Sequence, residues 1–102
     1  MRCEAYIRRL IGRIFKLLPM REQQEVEGIN LFLDMYISDL ADEMTGAYVT
    51  FPELFEDPRF VGAVNSLNYM RYHCLDMSFK SYRSSVLKMT NALSGILEVG
   101  EQ

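Results

Sequence analysis

Apolar side chains recur every three or four residues along most of the chain, and this spacing constrains the fold more than any other feature. In an α-helix such residues share one stripe, so each run predicts a helix with one buried side. No segment alternates apolar and polar residues for long enough to form a β-strand. The sequence therefore predicts an all-α protein. The first run contains Ile7, Leu10, Ile11, Ile14, Phe15 and Leu18.

Proline, glycine and capping residues divide the chain into four main helices. Pro19 disfavours helical dihedral angles in the residue before it, and Gly46 can end a helix. Asp57 can accept hydrogen bonds from the free backbone N–H groups at a helix start. A chain of 102 residues forms one domain, so we expect a compact bundle over residues 1–102. The predicted helices cover about 3–18, 21–45, 58–74 and 78–98, with a short extra helical turn between the second and third.

The same periodicity predicts the inward side of each remaining helix. The second helix is expected to bury Val26, Ile29, Leu33, Ile37, Leu40 and Met44. The third is expected to bury Phe60, Val61, Val64, Leu67 and Leu75. The fourth helix is expected to be capped by Asp76 or Ser78. Its apolar residues are spaced alternately three and four positions apart and form a single seam, as in a coiled coil. That seam consists of Phe79, Tyr82, Val86, Met89, Leu93 and Ile96.

Charge is segregated along the chain. Residues 1–21 carry six basic side chains and one carboxylate, Glu4, whereas residues 22–57 carry ten carboxylates and no lysine or arginine. We expect the basic first helix and the acidic second helix to pack as a hairpin and partly neutralise each other. Binding of the first helix to phosphates or to an anionic membrane surface is the alternative.

The second helix has more apolar residues than one stripe can hold. Either it is central and touches neighbours on two sides, which we favour, or it exposes an apolar patch with a charged rim. An exposed patch of this kind is typical of protein interfaces, and Phe32 is then the candidate anchor. The predicted partner-binding residues are Glu27, Leu31, Phe32, Asp34, Met35, Asp39, Asp42 and Glu43.

No pattern in the sequence predicts catalysis, a metal site or a cofactor. The only histidine, His73, adjoins Cys74, but neighbours on a helix diverge by about 100° and cannot form an activated pair. Asp39, Asp42 and Glu43 lack the Glu-x-x-His motifs that complete metal sites in helical bundles, which favours a solvated acidic face. We therefore expect a protein that is not an enzyme.

The cysteine content and the N-terminal sequence bear on location. Cys3 and Cys74 lie far apart and have no partner spacing that suggests zinc or redox chemistry, which favours reduced thiols in the cytoplasm. Basic residues interrupt each apolar run near the N-terminus, so neither a secretory signal nor a membrane span is expected. These features predict a soluble protein.

The run KLLPMRE, from Lys16 to Glu22, precedes an acidic amphipathic helix. This combination resembles small helical proteins of prophages and conjugative elements of Gram-positive bacteria. The resemblance covers about the first forty residues and implies a mobile-element setting. Short acidic helical proteins in that setting include regulators and inhibitors of host defence such as anti-CRISPR proteins.

Two hypotheses follow for function. The first is a non-enzymatic protein that inhibits or regulates a larger protein partner, whose surface is basic or binds nucleic acid, without direct nucleic-acid binding by this chain. The second is self-association into a homodimer through Leu31, Phe32 and Met35, or through the seam of the fourth helix.

Overall fold

A computed structural model describes residues 3–27 and 33–100, and the side chains of 3–23 and 33–98 within them. The described part of the chain is helical with no strand, which confirms the predicted all-α class. The short extra turn is present as the 3-10 helix η1. In chain order the elements are α1 (Glu4–Phe15), α2 (Leu17–Glu27), α3 (Leu33–Gly46), η1 (Pro52–Glu56), α4 (Pro58–His73) and α5 (Phe79–Gly100).

The boundary between the first two helices lies earlier than predicted. Helix α1 ends at Phe15 and α2 begins at Leu17, so Pro19 lies in the first turn of α2 rather than between helices. Backbone N–H groups in a first turn have no intrahelical acceptor, so proline loses no hydrogen bond there. The predicted helix start at residue 21 is therefore corrected to Leu17.

Within residues 21–45, for which one helix is predicted, the structure describes the part of α2 up to Glu27 and α3 from Leu33, and these two stretches contact each other. Residues 28–32 lie outside the described residues.

The helices pack in the order α1, α5, α4, α3, with α2 against α5, α1 and α3 and with η1 against α4. The predicted stripes account for most of the core. In α3, Leu33, Ile37, Leu40 and Met44 are fully buried, and all of the α5 seam except Phe79 is buried. The side chains of Val26 and Ile29 lie outside the described set.

Two residues predicted to face inward are exposed, and four are half-buried. Phe15 is the last residue of α1 and Leu75 follows the end of α4, so neither continues the buried stripe of its helix. The half-buried residues are Ile11, Leu18, Val61 and Phe79. The predicted caps are confirmed: the Asp57 carboxylate accepts from the Arg59 backbone N–H at 2.9 Å, and the Ser78 hydroxyl accepts from Ser81 N–H at 3.1 Å.

Candidate partner-binding surface

Helix α3 presents most of the predicted partner-binding residues to solvent. Asp34, Met35, Asp39, Asp42 and Glu43 are all exposed, and Met35 exposes 55% of its area. The side chain of Glu27, together with Leu31 and Phe32, lies outside the described residues. The exposed side of α3 therefore combines one large apolar side chain with four carboxylates.

Glu43 is paired with a basic residue of the same chain. Its carboxylate forms an ion pair with the Arg13 guanidinium of α1. Next to this pair, the Tyr36 hydroxyl of α3 donates to the Arg13 carbonyl at 2.9 Å. A basic residue of the first helix thus neutralises a carboxylate of the acidic segment. The hairpin expected of these two regions is not formed, because α1 packs along α5 and α3 packs along α4.

Asp42 is also paired, although it stays largely in solvent. The Arg71 guanidinium of α4 donates to Asp42 Oδ1 at 2.7 Å and to the Ser38 carbonyl at 2.9 Å. The hydrogen bond with Asp42 raises the pKa of Arg71 above its usual value. Because the Asp42 side chain remains 70% exposed, its second carboxylate oxygen is open to another donor. Sequence reasoning missed the role of Arg71, since nothing in its local pattern marks a bridge to α3.

Asp34 and Asp39 differ from these two carboxylates. Neither forms an ion pair with any residue in the part of the chain that the structure describes. Asp34 nonetheless lies close enough to the end of α4 that its charge helps raise the pKa of the Cys74 thiol, after the larger effect of burial. Within the described residues, the carboxylates of α3 that no ion pair neutralises are therefore Asp34 and Asp39.

Helix α4 adds exposed aromatic side chains next to this acidic side. Tyr69 and Tyr72 are exposed by 58% and 76%, and the His73 ring stacks on Tyr69 with centroids 4.3 Å apart. The Arg71 guanidinium carbon lies 5.9 Å from the centroid of the Tyr72 ring. The cluster of Tyr69, Tyr72 and His73 is visible in the sequence as three ring-bearing residues within one and a half helical turns. Arg71, in the same segment of α4, binds Ser38 and Asp42 of α3, so the packing of the two helices brings this segment to α3.

His73 and Cys74 do not form a nucleophile and base. The Cys74 side chain is buried and free, whereas His73 is exposed and stacked on Tyr69. Burial raises the pKa of the Cys74 thiol, which disfavours the reactive thiolate. Among the described residues, no three His, Cys, Asp or Glu side chains are grouped so as to hold a metal ion.

The apolar stripe of α1 is occupied by the core. Ile7, Leu10 and Ile14 are fully buried, and α1 packs along α5. Insertion of this stripe into a membrane surface would therefore expose part of the core. Within the described ranges, no helix has the length and apolarity needed to span a membrane.

Comparison of the chain with protein-family models, with curated proteins and with solved structures found no match.

Proposed function

We propose that this protein is a non-enzymatic interaction protein that inhibits or regulates a larger protein by docking the acidic side of α3 on it. The observation that carries the proposal is the exposure of Asp34 and Asp39 beside Met35, with no ion pair to either carboxylate among the described residues. A carboxylate that is not neutralised within its own chain can pair with a cation on a partner. Met35 supplies apolar area that such a contact would remove from water.

The expected partner has a basic surface. Carboxylates repel nucleic-acid phosphates, so direct binding of DNA or RNA to α3 is disfavoured. A protein surface that ordinarily holds those phosphates is the complementary target. An RNA-guided nuclease is one such partner, because it keeps its heteroduplex in a positively charged channel. An anti-CRISPR-like inhibitor would occupy that channel, in keeping with the mobile-element resemblance of KLLPMRE.

The two cysteines, which no disulfide joins, support a cytoplasmic site of action. Cys3 and Cys74 are both buried. Free thiols are usual in the reducing cytoplasm, where an intracellular partner would be met.

The proposal can be tested by capturing partners from a lysate of the organism that encodes the protein. Three baits are compared: the wild type, an Asp34→Asn/Asp39→Lys variant, and a control with the same change in charge. The control is Glu53→Gln/Glu56→Lys, which alters two exposed carboxylates of η1. Asp34 is only neutralised, because a cation in the first turn of α3 would oppose the helix dipole.

We expect the wild type and the η1 control to retain a common partner that the α3 variant loses. With the purified partner, the wild-type affinity should fall as salt rises, and the α3 variant should show a flatter dependence. Retention of the same proteins by all three baits would refute a role for the acidic side of α3.

Self-association is the second candidate, and the exposed Met35 favours it. The seam of α5 is not available for this purpose, because Tyr82, Val86, Met89, Leu93 and Ile96 are buried within the chain itself. Sedimentation of the wild type should then reveal a dimer that dissociates in Met35→Glu and Phe32→Glu variants. A monomer at all concentrations would dismiss this candidate.

A further inference from the structure

Two helices that pack against each other, α3 and α4, carry the exposed residues that we group as the α3–α4 face. On α3, Met35, Asp39 and Asp42 lie at positions i, i+4 and i+7, so they follow one side of the helix. On α4, the exposed residues of the face are Tyr69, Tyr72 and His73. Arg71 lies between the two rows and binds α3 through the Ser38 carbonyl and the Asp42 carboxylate.

The tyrosines are unusual for a surface that faces only water. Tyr72 exposes about three quarters of its area and Tyr69 more than half, within one turn of the same helix. Tyrosine is enriched at protein interfaces, since its ring offers a large rigid contact and its hydroxyl tolerates solvent. Clustered exposed rings of this kind mark a binding surface more often than isolated ones do.

Arg71 shows how a guanidinium fits this surface. One of its nitrogens donates to Asp42 at 2.7 Å, while its central carbon lies over the Tyr72 ring at 5.9 Å. A carboxylate and an aromatic face thus hold one cation together. Asp39 on α3 exposes a carboxylate, and Tyr69 on α4 exposes the part of its ring that His73 does not cover, so separate cations of one partner segment can meet the same two chemical groups.

We propose that the α3–α4 face binds an arginine-rich segment of a partner protein, with the carboxylates pairing the guanidinium groups and the tyrosine rings stacking on them. This inference rests on the proposed function and adds the chemistry of the partner and the contribution of α4. Arginine fits better than lysine, because its planar group can donate two parallel hydrogen bonds and stack at the same time. Tyrosines can also stack on nucleobases, but the phosphates of a nucleic acid would meet Asp39 and Asp42.

Titration with synthetic ligands tests the inference without an identified partner. The probes are an arginine-rich peptide, a lysine-rich peptide of equal length and charge, and a single-stranded oligonucleotide. Affinity is measured by calorimetry at low salt, and the site is mapped by amide chemical shifts. We expect shifts concentrated in residues 35–42 and 69–73, about threefold tighter binding of the arginine peptide, and no binding of the oligonucleotide.

Variants separate the aromatic contribution from the acidic one. Tyr69→Leu/Tyr72→Leu keeps apolar side chains but removes both rings, so it should weaken the arginine peptide about tenfold and abolish its advantage over lysine. Tyr48→Leu is the matched control, because Tyr48 is also an exposed tyrosine, at 61%, and lies outside the α3–α4 face. It should bind both peptides as the wild type does. If the double variant loses its dispersed amide spectrum, Tyr72→Leu alone should show about a threefold loss.

The outcomes distinguish this inference from the proposed function. If Asp34→Asn/Asp39→Asn weakens both peptides but the tyrosine variants bind normally, the aromatic role is overturned and the acidic docking surface stands. If the aspartate variant also binds normally, or the shifts map elsewhere, both proposals fail. Binding of the oligonucleotide at 69–73 would overturn the assignment to a protein segment.

Discussion

Two arginines in this chain use the same chemistry in opposite surroundings. Arg21 of α2 is buried, donates to the carbonyls of Cys74 and Met77 at 2.6 and 2.8 Å, and lies over the Tyr82 ring at 5.3 Å. Arg71 of α4 is half-buried, donates to a carbonyl and a carboxylate of α3, and lies over the Tyr72 ring. Each guanidinium joins two segments and rests on a tyrosine.

The two clusters differ in the surroundings of the tyrosine. Tyr82 is fully buried, and its hydroxyl donates to the Leu17 carbonyl at 2.7 Å, so every part of that ring serves the core. Tyr72 is mostly in solvent and has one face against Arg71. The cluster of Arg21 and Tyr82 joins α2 to the loop after α4. The cluster of Arg71 and Tyr72 joins α4 to α3, and most of the Tyr72 side chain stays accessible to a partner.

Replacing each arginine by methionine should give the largest difference in stability between the two clusters. Arg21→Met keeps much of the apolar stem but leaves two backbone carbonyls without their donor in a buried site, and we expect a loss of about 3 kcal/mol in the free energy of unfolding. Arg71→Met should lose about 1 kcal/mol, because water can replace part of its bonding. Urea denaturation measures both values.

Lys88→Met is a control for the loss of one positive charge at an exposed position of α5. It should change the unfolding free energy by less than about 0.5 kcal/mol. If Arg21→Met were no more destabilising than Arg71→Met, the distinction between a structural and a surface cluster would be wrong.

Removing the hydroxyl group from each tyrosine should also affect the stability of the two clusters differently, but by less than the arginine replacements do. Tyr82→Phe removes the hydroxyl that donates to the buried Leu17 carbonyl, so unfolding should become easier by about 1 kcal/mol. Tyr72→Phe should change stability by a few tenths of a kcal/mol at most, since its hydroxyl side is exposed. Equal effects in urea denaturation would contradict the burial difference on which the comparison rests.

The buried tyrosine should also make stability depend on alkaline pH. Burial raises the pKa of Tyr82 above its usual value, with a smaller contribution from Cys74. The unfolded chain then loses this proton first, from about pH 10, so the stabilisation is intact below pH 10 and declines as the pH rises further. The difference in unfolding free energy between wild type and Tyr82→Phe should narrow by up to about 1 kcal/mol per pH unit above pH 10. If the unfolding free energies of wild type and Tyr82→Phe change in parallel between pH 9 and 11, Tyr82 has the same pKa in the folded and unfolded chain.

Periodicity predicted the fold well where one apolar stripe governs a helix. Leu33, Ile37, Leu40 and Met44 are buried as expected, because a spacing of three and four residues fixes which side of α3 faces the core. Boundaries were less predictable. A proline is compatible with a first helical turn as well as with a helix end, so Pro19 alone could not place the start of α2.

The candidate site was predictable only on its α3 side. The run of carboxylates marks Asp34 and Asp39 directly in the sequence, and the exposure of both agrees with an acidic outer side. The α4 side depends on which helix packs against α3, and no local pattern specifies that. Arg21 and Arg71 were missed for the same reason, since their acceptors lie 53 and 33 residues away in the chain.

The coupling between Arg71 and Asp42 at the α3–α4 face is also expected to be small. Their ion pair is 2.7 Å long, but the Asp42 side chain is 70% exposed, and pairs in such surroundings contribute about 0.5 kcal/mol. A double-mutant cycle with Arg71→Met and Asp42→Asn, measured by urea denaturation, should return that coupling at low salt and less of it at high salt. A coupling above about 2 kcal/mol would mean that Arg71 is held as tightly as a buried cation. In that case the face would be a rigid structural cluster like that of Arg21, with less freedom for Asp42 to accept a partner's donor.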